Sequence, residues 1–296
     1  MVLMCLTGDV MCGRGIDQIL RHPGDPGIYE PWARSALCYV ELAQERSGPI
    51  PRRVEPSYMW GEMLPVLEQI APDAFIVNLE TAVTDRGRPW PEKGIQYRMH
   101  PANVDCLTVA GVDVAVLANN HVLDWSAPGL DQTLDALRTA GITPVGAGRN
   151  RVEAWAPVTI DMPSGSRVLV LAAGTTSSGI PRDWAAGKRR PGVALLPDLS
   201  ENTVERIVRS VARPHDVVVL SVHWGGNWGY NIGPDRRRFA HQLVDRASVH
   251  VVHGHSSHHP LGIEVYRGQL ILYGCGDLLT DYEGIQTHEQ YRGDLG

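Results

Sequence analysis

Six short apolar runs rich in β-branched residues recur along this chain of 296 residues, and stretches with helical spacing lie between them. Strands that alternate with helices predict a layered α/β fold with a largely parallel sheet. The runs are Val2–Thr7, Ala74–Leu79, Val112–Ala118, Val168–Ala173, Asp216–Val222 and Val249–Val252, and Gln269–Tyr273 follows the last of them. Helices are predicted where apolar residues recur on one face. Leu130, Leu134 and Leu137 do so in Pro128–Gly141, with Gly141 as the stop. Val204, Ile207, Val208 and Val211 do so in Glu201–Ala212, and Phe239 and Leu243 in Pro234–Ala247.

Residues 24–58 break this rhythm. They hold a short helix-like piece, Ala33–Arg46, and then Pro49-Ile50-Pro51-Arg52-Arg53. This segment is expected to run over the sheet as a lid or an insertion. No repeat or long linker divides the chain, so residues 1–296 are read as a single domain.

Composition excludes several classes. A hydrophobic content of 43% with 20% charged residues is that of a globular protein, and a formal charge of −6 gives no general attraction to nucleic acid. The clusters Lys188–Arg190 and Arg236–Arg238 read as solvated faces. The five cysteines are odd in number, widely spread and without a C-x-x-C pair, which fits a reducing compartment. No run approaches the roughly 20 apolar residues of a membrane span. The expectation is a cytoplasmic protein with no membrane anchor.

The functional signal lies where the runs end. They close on Gly8-Asp9, Asn78-Leu79-Glu80, Asn119-Asn120-His121, Val222-His223-Trp224-Gly225 and His253-Gly254-His255, the last opening a stretch of four histidines in seven residues. Ligands of open α/β sheets bind outside the carboxyl ends of the strands. Parallel strands would therefore gather Asp9, Glu80, Asn120, His121, His223, His255 and His258 at one edge. Taken singly, an Asp after a strand caps a helix, Asn-Asn makes a turn, and a His packs in a core. Five coincidences at equivalent places favour a metal site. Carboxylate, amide and imidazole without thiolate suit Mn, Fe, Zn or Co, and six ligands match two ions better than one. A serine-hydrolase reading of Ser221, Ser256 and Ser257 fails because no G-x-S-x-G elbow is present.

In this order, Gly8-Asp9-Val10-Met11, Asn78-Leu79-Glu80, Ala118-Asn119-Asn120-His121, His223-Trp224-Gly225 and Gly254-His255-x-x-His258 resemble the signature of the CapA family. These are the poly-γ-glutamate capsule-biosynthesis-type proteins of the calcineurin-like metallophosphoesterase superfamily. Ala140–Ile142, Gly146–Gly148, Gly262–Tyr266 and Leu270–Tyr273 extend the resemblance over nearly the whole chain. It implies a four-layer sandwich, two mixed β-sheets flanked by helices, with a dimetal site at the sheet edge. It also implies that Asp9 sits on the first metal, that Glu80 bridges both, and that Asn120 and His223 bind the second. His255 and His258 would complete the pair, and His121 would be catalytic. Two departures stand out. Met11 occupies the place of the histidine that the wider superfamily usually has two residues after the first Asp. Gly276-Asp277 stands where CapA proteins often have Gly-Asn, so Asp277 is an added ligand, an acceptor for an imidazole N–H, or a turn residue. Asn119 and His253 are read as residues that support the ligands.

Metal-bound water loses its proton near neutral pH, and His121 would protonate the leaving atom as general acid. Arg14 and Arg98 are candidates to hold an anionic substrate through forked hydrogen bonds. Trp224, Trp228 and Tyr230 are read as pocket walls or core. Two functions follow. One is a metal-dependent hydrolase of phosphomonoesters or phosphodiesters. The other is a CapA-like component of capsule polymer synthesis, acting on γ-glutamyl amides or without catalysis. The expected partners are a small anionic substrate or an anionic polymer.

Overall fold

Two β-sheets form the centre of the computed structural model, which describes residues 2–162 and 165–285. The first is wholly parallel, in the order Asp277–Leu279, Met4–Val10, Ala74–Leu79, Val114–Val116 and Thr143–Val145. The second has a parallel centre, in the order Leu195–Leu196, Arg167–Thr175, Val217–His223, Val251–His255 and Gln269–Leu272. Ile263–Tyr266 and Val158–Asp161 join it antiparallel, so this sheet is mixed.

Side chains of a strand alternate between faces, and both faces are buried here, which is why the strands read as continuous apolar runs. Ala74, Ile76, Val114 and Val116 of the first sheet pack against Val168, Val170, Val219 and Val251 of the second. On the opposite face of the first sheet, Phe75, Val77 and Leu79 share a core with Leu130, Leu134 and Leu137 of the Ser126–Thr139 helix. On the opposite face of the second, Leu169, Leu171 and Leu220 meet Val204 and Val208 of Asn202–Val211 and Phe239 and Leu243 of Pro234–Ala247. Pro234 starts its helix at a position where the missing N–H has no intrahelical partner to lose. Among the described residues, no helix is long and apolar enough to cross a membrane.

Two local readings shift. The helix expected over Ala33–Arg46 spans Leu37–Ser47, because Ser35 bridges Gly27 and the Ala36 N–H donates to the Pro26 carbonyl. Those backbone groups are taken before a helix can use them. The run Val249–Val252 becomes a strand over Val251–His255. His253 and His255 therefore lie in the sheet, two residues apart on one face, and only His258 and His259 stand in the loop beyond.

The stretch after Gln269–Leu272 leaves the second sheet and enters the first at Asp277–Leu279. This crossing joins the sheets at the end where the ligand-type residues gather. Residues 24–58 carry a small core of their own, with Ile28, Ala33, Ala36 and Tyr39 in contact.

Candidate metal centre

Asp9 reaches the sheet edge through an irregular register. Thr7 pairs with Val77 and Asp9 with Asn78, so Gly8 is an extra residue in the strand. The Gly276 carbonyl lies so close that a Cβ on Gly8 would stand 1.7 Å from its oxygen. Only glycine permits this approach. The Asp9 N–H donates to that same carbonyl at 2.9 Å, and Asp9 pairs with Asp277 in register. A carboxylate distant in sequence is thus set beside the first.

Two groups of ligand atoms share Asp9. Asp9, His223 and His255 offer atoms within 4.8 Å of one another, and so do Asp9, His258 and Asp277. Glu80 is in neither group but is tied to Asp9, because the Asn78 amide donates to Asp9 Oδ1 at 2.7 Å and to Glu80 Oε2 at 3.3 Å. Asn120 joins through its Oδ1, 3.0 Å from His223 Nε2. All six residues expected as ligands, and Asp277, are therefore brought to one edge.

The hydrogen bonds fix where the protons are. His253 Nε2 lies 2.9 Å from the Thr7 carbonyl oxygen, which only accepts, so this nitrogen carries the proton. His253 Nδ1 then accepts from Ser221 Oγ at 3.0 Å, and His255 Nε2 donates to the same hydroxyl at 2.9 Å. That leaves His255 Nδ1 as an acceptor, 2.7 Å from His223 Nδ1, which donates to it; an ion held by His255 would replace this hydrogen bond. With the amide oxygen of Asn120 facing the ring, His223 Nε2 and Asn120 Oδ1 are then two acceptors in contact. Burial holds both His223 and His255 well below the usual histidine range, so neither takes a second proton at neutral pH. A cation between them, or the Asn120 amide turned to donate, satisfies such a pair.

The carboxylates give the same indication. Asp9 Oδ2 is buried and accepts from no N–H or hydroxyl donor among the described residues, with the Glu80 carboxyl close to Asp9. Desolvation, then Asp277, raises the Asp9 carboxyl to about 7, and desolvation with Asp9 nearby raises Glu80 also. His258 is raised through its 2.8 Å contact between Nδ1 and Asp277 Oδ1, although burial opposes the shift. Buried acids with unused lone pairs beside neutral imidazoles fit a divalent ion. Cys275, next to this cluster in sequence, has its thiol pushed up to about 12 by burial and adds no thiolate.

His121 stands at the margin. Its Nδ1 lies 2.6 Å from Asp124 Oδ2, while Nε2 faces Glu80 Oε1 at 3.7 Å. Asp124 also accepts from the Tyr97 N–H at 2.6 Å and pairs with Lys93 at 2.6 Å. The Tyr97 ring meets the His121 ring edge-on at 4.5 Å. Asn119 braces the turn, donating to Asn78 Oδ1 and the Leu79 carbonyl while accepting from the N–H groups of His121 and Val122.

The two arginines are engaged elsewhere. Arg14 is buried, forks onto Asp281, pairs with Glu30 at 2.9 Å and lies over the Tyr39 ring. An anion reaching it would compete with two carboxylates already in place. Arg98 lies over Trp125 at 3.8 Å and donates to the Asp25 carbonyl at 2.9 Å. Trp224 is core, its indole N–H on the Tyr273 carbonyl, whereas Trp228 stands 5.5 Å from His258. Lys93 and Asp124 were not singled out in the sequence, and Ser221 was weighed there only as a nucleophile. Asp124, three residues after His121, was the one with a readable spacing.

The comparisons with known proteins cover the same ground. A family described as bacterial capsule synthesis protein PGA_cap matches residues 3–282. A probable polyglutamine synthesis accessory protein of Mycobacterium tuberculosis is 47% identical over 99% of this chain and 78% of its own length. The PGA biosynthesis protein CapA of Bacillus subtilis is 28% identical over 96% of this chain and 64% of its own. The capsule biosynthesis protein CapA of Bacillus anthracis is 26% identical, over 97% and 61%. The chain thus spans less than two thirds of the two Bacillus relatives.

Proposed function

The chain belongs to the bacterial capsule synthesis protein PGA_cap family, and on that premise we propose that it is a metal-dependent hydrolase working in the synthesis of a glutamate-type polymer. Its centre would hold two divalent ions of the Mn, Fe or Zn kind, at the edge of what we read as a four-layer sandwich. The single observation that carries this reading is the pair of ligand groups sharing Asp9, drawn from strands of both sheets. Asp9, Glu80, Asn120, His223, His255 and His258 would hold the ions. When bound, they supply positive charge for the developing anion and an activated water.

The protein's own groups do the rest. Asp124 Oδ2, at 2.6 Å the nearer neighbour of His121 Nδ1 (Lys93 Nζ lies at 3.0 Å), accepts its N–H and so leaves Nε2 as the atom that exchanges a proton at the sheet edge. Burial lowers His121 to about 4, against the pull of Asp124, so the resting ring is neutral at pH 7. In that state Nε2 takes a proton before it can return one to a leaving oxygen or nitrogen. Tyr97 and the Lys93–Asp124 pair hold the ring in place. The ester or amide cleaved would be anionic, a phosphoester or a γ-glutamyl amide.

A second reading is favoured by the printed descriptions of the relatives, one of which is an accessory protein. In it, the centre binds and orders an anionic polymer or a synthesis partner without turnover. Aryl phosphates, a phosphodiester and γ-glutamyl amides offered to metal-loaded protein separate the two. The hydrolase reading expects turnover that a chelator abolishes and Mn restores, and that falls in Glu80→Ala and Asn120→Ala. No turnover on any of them, in protein holding both ions, supports the accessory role.

A further inference from the structure

We propose that Asp277 is itself a metal ligand, and that the centre therefore has two unlike positions, one rich in carboxylate oxygen and one rich in imidazole nitrogen. This rests on the dimetal reading above. Asp277 is placed by backbone, not by side-chain chance. Its strand pairs with Met4–Val10, Asp277 stands opposite Asp9, and the Gly276 carbonyl holds the Asp9 N–H. One oxygen, Oδ1, meets His258 Nδ1 at 2.8 Å, and the other makes no hydrogen bond among the described residues.

The independent observation is Asp9 Oδ2, on a residue with no exposed surface, which accepts from no N–H or hydroxyl donor among the described residues; the Glu80 carboxyl is close enough to Asp9 to share a proton with it. Two carboxylates held together in a poorly solvated edge repel unless a proton or a cation lies between them, and a divalent ion can serve both at once. Asp9, His258 and Asp277 offer their atoms within 4.8 Å. Met11 is fully buried and offers only a thioether, which touches the Tyr282 hydroxyl at 3.7 Å. Asp277 thus supplies from the far end of the chain a ligand that the Asp9 strand lacks. The other group adds His223 and His255 to Asp9, with Asn120 alongside.

Ligand softness then separates the positions. Two carboxylates and one imidazole favour Mn²⁺ or another oxygen-seeking ion, whereas paired imidazoles favour Zn²⁺. Metal-free full-length protein, titrated with Mn²⁺ and with Zn²⁺ and read by elemental analysis and Mn²⁺ electron paramagnetic resonance, tests this. Asp277→Asn keeps an acceptor for His258 but loses the charge. It should lose Mn²⁺ affinity by more than about 100-fold, beyond the 10–100-fold that follows loss of a ligand's hydrogen-bond partner. It should keep one Zn²⁺, which also reports that the variant is folded. A smaller loss, or none, makes Asp277 only an acceptor and overturns the assignment. Wild-type protein loaded with ¹¹³Cd²⁺ supplies a test without mutation. Two resonances are expected, the carboxylate-rich one upfield, and two ions at a common shift would overturn the proposal. Wild type that binds neither Mn²⁺ nor Zn²⁺ sinks the dimetal reading itself.

Discussion

His253 Nε2 of the second sheet lies 2.9 Å from the carbonyl oxygen of Thr7 in the first. This bond ties the sheets together directly beneath the ligand cluster, and it needs the ring neutral, with Nδ1 free to accept from Ser221.

Burial lowers His253 to about 4, so its proton binds more tightly in the unfolded chain, where the value is near 6.5. The stability carried by the neutral ring is complete above pH 6.5 and is lost as pH falls toward 4. Denaturant unfolding of metal-free protein at pH 7 and pH 5 should show this as about 2 kcal/mol of acid sensitivity. His253→Gln should lack that share. An unchanged pH dependence in the variant would mean that His253 is not held neutral by the fold.

Gly8 sets the second prediction. A Cβ there collides with the Gly276 carbonyl at 1.7 Å, so Gly8→Ala must push the Asp277–Leu279 strand away. Overpacking against backbone should cost about 3 kcal/mol or more. Thermal unfolding measures the loss, and metal content should fall with it because Asp9 and Asp277 separate.

His121 and Asp124 give a kinetic prediction. His121→Ala should keep its metals and its fold and lose turnover by roughly 10²–10⁴-fold. Asp124→Asn removes the charge that holds the His121 Nδ1–H and Lys93, and should lower turnover by about 10²-fold with metal content unchanged. Loss of metal in His121→Ala would make it a ligand instead.

Arg14 is predicted to matter first for stability. Its guanidinium is shared by Asp281 and Glu30, all three buried. Arg14→Met leaves two uncompensated carboxylates, at a cost of about 3–5 kcal/mol. Denaturant midpoints measure it, and a near-neutral result would free Arg14 for the substrate role its position in sequence suggested.

The sequence made the sheet strands legible because both faces are buried, so Ala74–Leu79 and Val217–His223 read as largely apolar runs. The strand ends were legible for the same reason, since polar residues at Asp9, Asn120 and His223 interrupt those runs. Pairing was not. Nothing in the local pattern of Gly276-Asp277 says that its strand returns to the first sheet beside Asp9, because that contact follows from a crossing between sheets. The His-rich stretch misled in one respect. His253 and His255 are polar enough to suggest a loop, yet they continue the strand because Thr7, Ser221 and His223 satisfy their nitrogens. Lys93 carried no signal at all, lying in a turn with no periodicity.

The account stands on metal content. Elemental analysis of wild-type protein, reconstituted with Mn and Zn and then freed of excess, should find about two divalent ions per chain. His255→Ala and His258→Ala should each lower that number. His259→Ala should not, because His259 belongs to neither ligand group and packs against Trp228 and Tyr230. Less than about half an ion per wild-type chain after reconstitution, or loss of metal from His259→Ala with none from His258→Ala, would contradict the centre described above.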